Sequence, residues 1–428
     1  MNTMLTKSVV GLACAILPWL ALAADTGNQV RVEAPRASVA PPAVNNVCGF
    51  RGDGSGVFSK TRPPTLWGSE GNKNILWKTE VGRSQSSPVI GGNRVFVSAE
   101  TDLLLCLDRA TGKVAWKKDN GFESLPAEMK AVEKRPPSDS GCGYSAATPI
   151  TDGQRVWASF GTGIVVCYDL DGKRQWVRYF DQTQVTQYGR SVSPLMAGGK
   201  LLVTVGFLMA LDPATGKTIW ECPEAVPSYG TPVAVRIAGV EVIITPKGDV
   251  IRVADGKVLG AGLAETPYSS PVVAQGVLYF GMPVQALRLP DKAEATSRLA
   301  TIWEASDPGG DSFASPVVYD GIFYMVGNDG VLWAFEAATG KMWYRQELVN
   351  PGGGSGGPAG NFYPSLVVAG GNLLVANDAG QTIVVATGRV FKEVARNTLE
   401  EGSGASPVAV GAELFVRGGN LLYCLTSK

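Results

Sequence analysis

Histidine is missing from this 428-residue sequence, and its seven cysteines show neither a C-x-x-C spacing nor an adjacent pair. Without histidine, a Ser-His-Asp triad, a Cys-His dyad and a histidine-based zinc site are excluded. The cysteine spacing also excludes a cysteine-ligated metal finger and a c-type haem attachment motif. No sequence motif therefore predicts a catalytic residue or a metal ligand.

An excess of charge of one sign is also missing, because 38 lysines and arginines balance 38 aspartates and glutamates. Neither a basic patch nor an acidic tail stands out along the chain. Since such patches attract nucleic acid and anionic membrane surfaces, both are poor candidate partners.

A single long apolar run is present, from Val9 to Leu22, shortly after Lys7. It ends in Ala21-Leu22-Ala23, a small-x-small sequence typical of a signal peptidase site. The run is short for a spanning helix, which needs roughly 20 apolar residues. Gly11 stands three residues before Cys14, where a lipoprotein signal has an aliphatic residue. We expect residues 1–23 to be a cleaved signal peptide and the protein to be periplasmic or secreted.

The rest of the chain repeats one short phrase. Each copy reads as two small residues, a proline, an apolar stretch, a turn with glycine and a second apolar stretch; the seventh copy has Leu366 instead of proline. A repeat of 38 to 61 residues with about four short strands is the signature of a β-propeller. We predict an all-β fold, an eight-bladed β-propeller of four-stranded blades, over residues 74–428. The copies begin at Ser86, Ala147, Val192, Gly230, Ser269, Ala314, Pro364 and Ala405.

A second phrase, "DRATGKVAW" and its variants, predicts a turn followed by the outer strand of a blade. A tryptophan follows the turn glycine by four residues in three copies, and its large ring is suited to pack against the neighbouring blade. Blades four and seven break this pattern, with Gly260 and Lys392 at that position. The predicted structural wedges are Trp77, Trp116, Trp176, Trp220, Trp303 and Trp343.

The eighth copy ends after "NLLYCLTSK", which supplies only a third strand. The segment "NILWKTEVG", residues 74–82, precedes the first copy and resembles an unpaired fourth strand. We predict that this N-terminal strand completes the last blade, because closure removes the exposed sheet edges. Residues 24–73, which begin rich in proline and alanine, are predicted to be a flexible leader.

The cysteines divide into two groups. Cys106, Cys167 and Cys424 occupy a repeat position where other copies have alanine, which indicates a small buried site. Cys48, Cys142 and Cys222 lie in predicted loops and are the candidates for disulfides, with the pairing left open.

One rim of the predicted propeller carries the candidate binding residues. Three positions before the proline, four consecutive copies have an aromatic residue, whereas the other four have small or amide side chains. Such a rim is suited to stack on a ligand or anchor a peptide, although the rings could also simply fill space above the first strands. The candidate rim residues are Tyr229, Tyr268, Phe313, Tyr363 and Gln85, with Arg83, Arg190 and Asp311 beside them.

The phrases "LDRATGKVAW" and "LDPATGKTIW", together with the eight strand starts, resemble the PQQ-like propeller repeat family. That family includes quinoprotein alcohol dehydrogenases and the lipoprotein subunit of the outer-membrane β-barrel assembly machinery. The resemblance implies an exported, non-catalytic scaffold that binds a protein or an envelope polymer as a monomer within a complex, with no cofactor. The alternative it implies is a small quinoprotein oxidoreductase that uses PQQ and calcium, although the cysteine pair frequent in those enzymes is lacking.

Overall fold

The computed structural model describes residues 47–130, 141–296, 298–305, 311–349 and 360–427. All of them lie in one compact unit of the chain, residues 32–428. The predicted signal peptide, residues 1–23, and residues 24–46 of the predicted leader lie outside the described residues.

The described residues form short antiparallel sheets, each a meander of four strands except where an N-terminal strand adds to it. Blade one consists of β3 Val89–Gly91, β4 Arg94–Ala99, β5 Leu103–Asp108 and β6 Val114–Asp119, and blade two of β7 Ile150–Thr151, β8 Arg155–Ser159, β9 Ile164–Asp169 and β10 Arg174–Tyr179. Blade three consists of β11 Leu195–Ala197, β12 Lys200–Val205, β13 Phe207–Leu211 and β14 Thr218–Cys222, and blade four of β15 Val233–Ile237, β16 Val240–Ile244, β17 Val250–Arg252 and β18 Val258–Gly260.

Blades five to eight follow the same plan, and two strands from the N-terminal part of the chain join blades seven and eight. Blade five consists of β19 Val272–Ala274, β20 Val277–Gly281, β21 Val284–Arg288 and β22 Ala300–Glu304, and blade six of β23 Val317–Tyr319, β24 Ile322–Val326, β25 Val331–Glu336 and β26 Met342–Glu347. Blade seven consists of β27 Val367–Ala369, β28 Asn372–Ala376, β29 Gln381–Ala386 and β30 Glu393–Thr398, joined by β1 Val57–Phe58. Blade eight consists of β31 Val408–Val410, β32 Glu413–Gly418 and β33 Leu421–Thr426, joined by β2 Ile75–Glu80. Short 3₁₀ helices span Glu70–Asn72, Phe122–Ser124 and Ala127–Met129.

The burial of each strand follows its place in the blade. The second and third strands are almost continuously buried, as in β4 and β5, because neighbouring blades cover both of their faces. Outer strands such as β6 are mostly exposed or half-buried. The core therefore lies between blades, and continuous apolar runs mark the middle strands while polar residues mark the outer ones.

The predicted closure of the ring by the N-terminal strand is confirmed. β2 pairs antiparallel with β33, with Trp77 opposite Cys424 and Lys78 opposite Tyr423. Ile75, Trp77 and Val81 belong to the same apolar cluster as the strands of blade eight. The eight sheets therefore close without leaving β33 as a free edge.

Eight hydroxyl groups link the blades around the axis. In each blade the Ser or Thr just before the repeat proline, or before Leu366 in blade seven, accepts a hydrogen bond from the backbone N–H of its counterpart in the preceding blade, at 2.8 to 3.1 Å. The last bond, from the Ser406 N–H to the Ser87 hydroxyl at 3.0 Å, closes the circle. This hydroxyl ring consists of Ser87, Thr148, Ser193, Thr231, Ser270, Ser315, Ser365 and Ser406.

The outer tryptophans pack on the turn of the next blade. Trp176 lies against Gly216, where an added Cβ would approach its ring to 2.7 Å, and its indole N–H donates to the carbonyl of Pro213 at 3.0 Å. Gly216 has a φ of +69°, so the same glycine both forms the turn and leaves room for the ring. Trp77, Trp116, Trp220 and Trp303 repeat this contact with Gly112, Gly172, Gly256 and Gly340.

The structure corrects the assignment in blade six. Tyr344, not Trp343, pairs with Ala334, the position that corresponds to Cys106 opposite Trp116 in blade one. A register shift between Ala334 and Phe335 places Trp343 on the bulge. There its ring lies 4.6 Å from Lys341 Nζ and 4.6 Å from Arg389 Cζ, in cation–π contacts.

Blade seven needs a similar correction, because Ala395 pairs with Val384 and occupies the outer position predicted for Lys392. In blade four, Gly260 pairs with Val250 and does occupy the predicted position. Both blades therefore lack a large ring there, and the chain makes up the outer packing of blade seven with its N-terminal segment.

The second half of the predicted flexible leader packs on the ring, which corrects the prediction for residues 47–73. Val47 bridges to Ile90 in blade one, and β1 pairs in parallel with β27, the innermost strand of blade seven. Farther along, Trp67 is 3% exposed, and its backbone N–H donates to the Asn397 side chain at 2.8 Å. This segment is low in large apolar residues, but backbone pairing and a few buried side chains hold it.

No helix among the described residues is both long and apolar enough to span a membrane.

Candidate rim site

Five aromatic rings form a continuous chain along one face of the ring, the face from which the innermost strands start; we call it the rim face. Successive ring centroids are 5.8, 5.7, 4.5 and 5.2 Å apart. These distances fall in the range of favourable aromatic pairs. We name this chain the aromatic arc; its members are Tyr188, Tyr229, Tyr268, Phe313 and Tyr363.

The repeat positions these rings. Tyr229, Tyr268, Phe313 and Tyr363 each precede a residue of the hydroxyl ring by two positions, so four neighbouring blades place them side by side. Tyr188 joins from the loop before blade three, where its backbone N–H donates to the Tyr229 hydroxyl at 3.1 Å. Four of the five rings therefore lie beside the inter-blade hydrogen bonds, and Tyr188 joins them from a loop.

Both ends of the arc are open to solvent and its middle is half-buried. Tyr188 is 43% exposed and Tyr363 is 36% exposed. Burial raises the pKa of Tyr229 and of Tyr363 above the ordinary value of 10.0. Their hydroxyls are therefore neutral at physiological pH, and the arc combines an apolar surface with hydrogen-bonding groups.

Among the residues that the structure describes, the other half of the rim has no comparable row of rings. Gln85 is exposed, and its amide nitrogen donates to the Gly141 carbonyl at 3.0 Å. Gly404 leaves room for that side chain, since an added Cβ would lie 2.7 Å from Gln85 Oε1. Ala146 is buried, and the Ser191 hydroxyl donates to the Tyr229 carbonyl. Gln85 therefore lies on the polar side of the rim and not with the rings.

The three charged candidates do not come together. Arg83 is exposed and contributes its carbonyl, which accepts from the Glu100 N–H at 2.8 Å. Arg190 donates to the carbonyls of Gly161 and Gln182, and burial lowers its pKa. Asp311 is exposed, and its carbonyl accepts from the Asn328 N–H at 2.9 Å. Arg190 is thus a support for the rim loops, and in the described part of the chain its hydrogen bonds lead away from Asp311 to the carbonyls of Gly161 and Gln182.

The alternative interpretation implies PQQ with calcium, which needs several oxygen donors around one point. In the part of the chain that the structure describes, no group of three or more Cys, Asp or Glu side chains lies close enough together to hold a metal ion. Asp311 has neither of the other two charged candidates as a partner. The described residues therefore supply no cluster of acidic side chains for calcium.

The three candidate disulfide cysteines lie in separate places and no pair of them is bridged. Cys48 is in the N-terminal segment, next to Thr151, whose N–H donates to its carbonyl. The N–H of Cys142 donates to the Tyr188 carbonyl at the rim, and Cys222 ends the outer strand β14. Cys222 therefore lies at the end of a strand and not in a loop.

The buried repeat cysteines predict a loss of stability at alkaline pH. Burial raises the pKa of Cys106 and of Cys167 from 9.0 to about 12. Between pH 9 and 12 the unfolded chain releases these protons while the folded protein keeps them, so stability falls as pH rises, by about 1.4 kcal/mol per pH unit for each thiol.

We expect the double variant Cys106→Ala/Cys167→Ala to lose less stability than the wild type between pH 8 and 10.5 in urea denaturation. Alanine is a fitting replacement because Ala210 and Ala334 occupy the same register position in blades three and six. Identical pH dependence of the two proteins would contradict this prediction.

Two features of the site escaped prediction. Tyr188 lies in a loop that is not part of the repeat, so no periodic signal marks it. The hydroxyl ring did leave a signal, because the residue before the proline or before Leu366 is Ser or Thr in all eight copies. The repeat pattern indicates only that a small residue is needed at that position, whereas in the structure its hydroxyl group joins neighbouring blades.

The fold and the rim together define an eight-bladed β-propeller of four-stranded, PQQ-like repeats with one aromatic side to its rim. The family model described as "Outer membrane protein assembly factor BamB" matches residues 65–261. The predicted resemblance to the PQQ-like propeller family is therefore confirmed. No curated protein sequence matches the chain.

Solved structures share the fold at low sequence identity. BamB from Moraxella catarrhalis aligns with a TM-score of 0.59 and 13% identity, covering 83% of this chain and 97% of that protein. The computationally designed Ika8 protein aligns with a TM-score of 0.54 and 11% identity, over 81% and 99% of the two chains. Quinohemoprotein alcohol dehydrogenase ADHIIG from Pseudomonas putida HK5 aligns with a TM-score of 0.52 and 11% identity, over 90% and 80%. At these identities the likeness concerns the fold alone.

Proposed function

We propose that this protein is an exported, non-catalytic propeller that binds an extended, apolar-rich segment of an envelope protein along its aromatic arc. The observation that carries the proposal is the unbroken row of five rings, solvent-exposed at both ends. Tyrosine is enriched among the few residues that supply most of the binding energy at protein interfaces.

The shape of the arc favours an extended partner. Five rings in a row present a long, narrow surface, which an extended segment can contact along its whole length. The tyrosine hydroxyls are suited to bond a partner's backbone. Strands of outer-membrane barrels are such segments, about 9–11 residues long with alternating apolar side chains.

The family match supports a place in outer-membrane protein assembly, since the matching model carries that description. Within such an assembly the propeller would act as a monomer that holds a client strand or a partner loop. Export to the periplasm rests on the predicted signal peptide, residues 1–23, and the proposal includes it.

The test is binding of a fluorescein-labelled ten-residue peptide with alternating apolar and polar side chains, followed by fluorescence anisotropy. We expect saturable binding that Tyr229→Ala/Tyr268→Ala/Tyr363→Ala weakens at least tenfold, which corresponds to about 1.4 kcal/mol. The matched control is Val114→Ala/Ile219→Ala/Met342→Ala, which removes three exposed apolar side chains from outer strands.

The control triple variant should bind like the wild type, and both triple variants should melt within a few degrees of it. Unchanged binding by a folded tyrosine triple variant would refute the role of the arc. Equal binding of a peptide with the same composition but with its apolar residues in one block would refute the extended mode of binding.

A further inference from the structure

The face opposite the aromatic arc carries the turns that follow the first and the third strand of a blade, because each innermost strand starts at the rim face and the blades are antiparallel meanders. We call it the far face. In four blades the third turn combines an acid with an exposed lysine, and the N–H of the acid donates to the carbonyl of the lysine. These two residues balance each other in charge. The pairs are Asp108 and Lys113, Asp169 and Lys173, Asp212 and Lys217, and Glu336 and Lys341.

The third turn of blade seven departs from this pattern. Ala386 takes the place of the acid, since its N–H donates to the Lys392 carbonyl at 2.9 Å. The turn is one residue longer than the one between Glu336 and Lys341 in blade six. It carries Arg389 and no acid. This turn therefore has two cations that no carboxylate of its own balances.

The turn is fixed at its base and open at its tip. The Thr387 hydroxyl donates to the carbonyl of Gly371, in the first turn of the same blade, at 2.8 Å. The Phe391 ring packs edge-on against Tyr344, with centroids 5.9 Å apart. Val390, between these anchors, is 79% exposed, the largest exposed fraction of the large apolar side chains in the described ranges. Since an apolar side chain held in water adds little to the fold, its position favours contact with another surface.

Blade six adds a cation and an aromatic ring to this turn. Lys341 Nζ and Arg389 Cζ each lie 4.6 Å from the Trp343 ring centroid, in the cation–π contacts described above. Met342, next to Trp343 in the chain, is 40% exposed. One indole ring therefore joins cations from two blades beside a second exposed apolar side chain.

The N-terminal segment brings two further cations to the same face. The Arg62 N–H donates to the carbonyl of Gly411, in the first turn of blade eight, at 2.7 Å. The N–H of Gly370, in the first turn of blade seven, donates to the Thr61 hydroxyl at 3.3 Å. Lys60 and Arg62 flank Thr61, and both are exposed. They therefore lie on the far face, at blades seven and eight.

These cations outnumber the acids around them. Within the described residues, none of the five has a carboxylate oxygen within 4.0 Å. Asp320, in the first turn of blade six, is an exposed acid of the same face. Three other nearby acids, Glu336, Glu393 and Glu413, are bonded to Thr339, Arg396 and Arg109. The five cations are Lys60, Arg62, Lys341, Arg389 and Lys392.

We propose that these five cations, together with Trp343 and Val390, dock on the surface of an anionic lipid bilayer; we call this set the far-face patch. The cations bind lipid phosphates, the indole ring lies among the headgroups, and Val390 enters the apolar boundary. The contact is peripheral and reversible, since each cation contributes little. It leaves the aromatic arc on the side away from the bilayer, and it does not depend on the proposed partner of the arc.

The shape of the far-face patch favours a lipid surface over an acidic protein. Val390 stands on a protruding turn, and a protruding apolar side chain enters the soft surface of a bilayer without a matching pocket. A folded partner would need such a pocket. Along the sequence an anionic membrane is a poor candidate because the cations come from three separate stretches, residues 60–62, 341 and 389–392. The fold brings these stretches to one face.

The test is co-sedimentation of residues 24–428, which lack the predicted signal peptide, with lipid vesicles. One set of vesicles contains phosphatidylcholine with about one third phosphatidylglycerol, and the other contains phosphatidylcholine alone. We expect binding to the anionic vesicles that weakens as salt is added, and little binding to the neutral ones.

Arg389→Gln/Lys392→Gln should lower the partition coefficient about twentyfold, since each cation near an anionic surface contributes a factor of about five. Val390→Ser should lower it about tenfold, because it removes the apolar tip and keeps the charge. The matched control is Lys113→Gln/Lys217→Gln, which removes two exposed lysines from the equivalent turns of blades one and three. It should bind like the wild type, and all variants should melt close to it.

Absence of wild-type binding to the anionic vesicles would overturn the proposal and leave an acidic protein as the partner of the far-face patch. An equal loss of binding in the control variant would mean that the whole charged surface is attracted, which also overturns it. Unchanged binding of Val390→Ser would contradict the insertion of the turn.

Discussion

Deletion of residues 74–82 is expected to make the protein aggregate. The deletion removes β2, so that one side of β33 becomes an unpaired, apolar edge on the outside of blade eight. It also removes Ile75 and Trp77 from the core cluster of blade eight, and Trp77 from its place over Gly112 in blade one. Free edges of this kind pair with other chains. Size-exclusion chromatography with light scattering and a thermal melt give the readout.

The matched control keeps β2 and replaces two of its exposed side chains. Lys78 and Glu80 face away from the core, and Lys78 forms a surface ion pair with Glu400 at 2.8 Å. Such pairs contribute about 0–1 kcal/mol, so Lys78→Ala/Glu80→Ala should stay monomeric and melt close to the wild type. A monomeric deletion variant with a normal melting transition would contradict the closure.

Trp220→Ala is expected to destabilise the protein by about 3–5 kcal/mol, the cost typical of removing a buried tryptophan. Trp220 is 8% exposed, lies on Gly256 of blade four, and donates its indole N–H to the Val253 carbonyl at 2.9 Å. Trp220→Phe keeps much of the ring but loses that bond, so it should cost less. Urea denaturation gives the free energies of unfolding.

A double-mutant cycle separates the free energy of the contact between Trp220 and Gly256 from that of the general packing. Gly256 has a φ of +74°, and an added Cβ would meet the Trp220 ring at 2.7 Å, so Gly256→Ala should also destabilise the protein. Part of that cost is the clash, which disappears once the ring is removed. The two substitutions together should therefore cost less than the sum of the single ones. Strict additivity would contradict the packing of ring on glycine.

Trp343 provides the comparison within the same fold. It lies on a bulge, and Gly388, the turn glycine of the next blade, has no atom of another residue within 4 Å of an added Cβ. Trp343→Ala should therefore cost clearly less than Trp220→Ala. An equal cost would mean that the glycine contact is not what makes the outer rings important.

Most of the architecture was predictable from the sequence because a propeller repeats its physical constraints eight times. The number of blades follows from the copies of the strand start, and the closure follows from a missing fourth strand at one end and a spare strand at the other. A local pattern that recurs eight times specifies both the fold and the number of blades. Where a single copy departs, as at Trp343, the sequence cannot reveal the bulge that shifts the register.

The features of the structure that the sequence did not predict are those that occur only once along the chain. Residues 47–73 have no repeat partner, and their packing depends on long-range bonds such as those from Arg51 to Pro316 and Leu366. The four aromatic residues of the repeat were found because they share one position, whereas Tyr188 joins them from a loop. The separation of Cys48, Cys142 and Cys222 likewise became clear only from the fold.

Site-specific photo-crosslinking in the cell envelope tests the central claim, that the aromatic arc is the surface to which the partner binds. A photoreactive amino acid would replace Tyr188 or Tyr363 at the two exposed ends of the arc, and Ile219 or Val394 on outer strands as controls. We expect both arc positions to crosslink to the same envelope protein through an apolar-rich segment, and the outer positions not to do so. Crosslinks to that protein from the outer strands, with none from the arc, would contradict it.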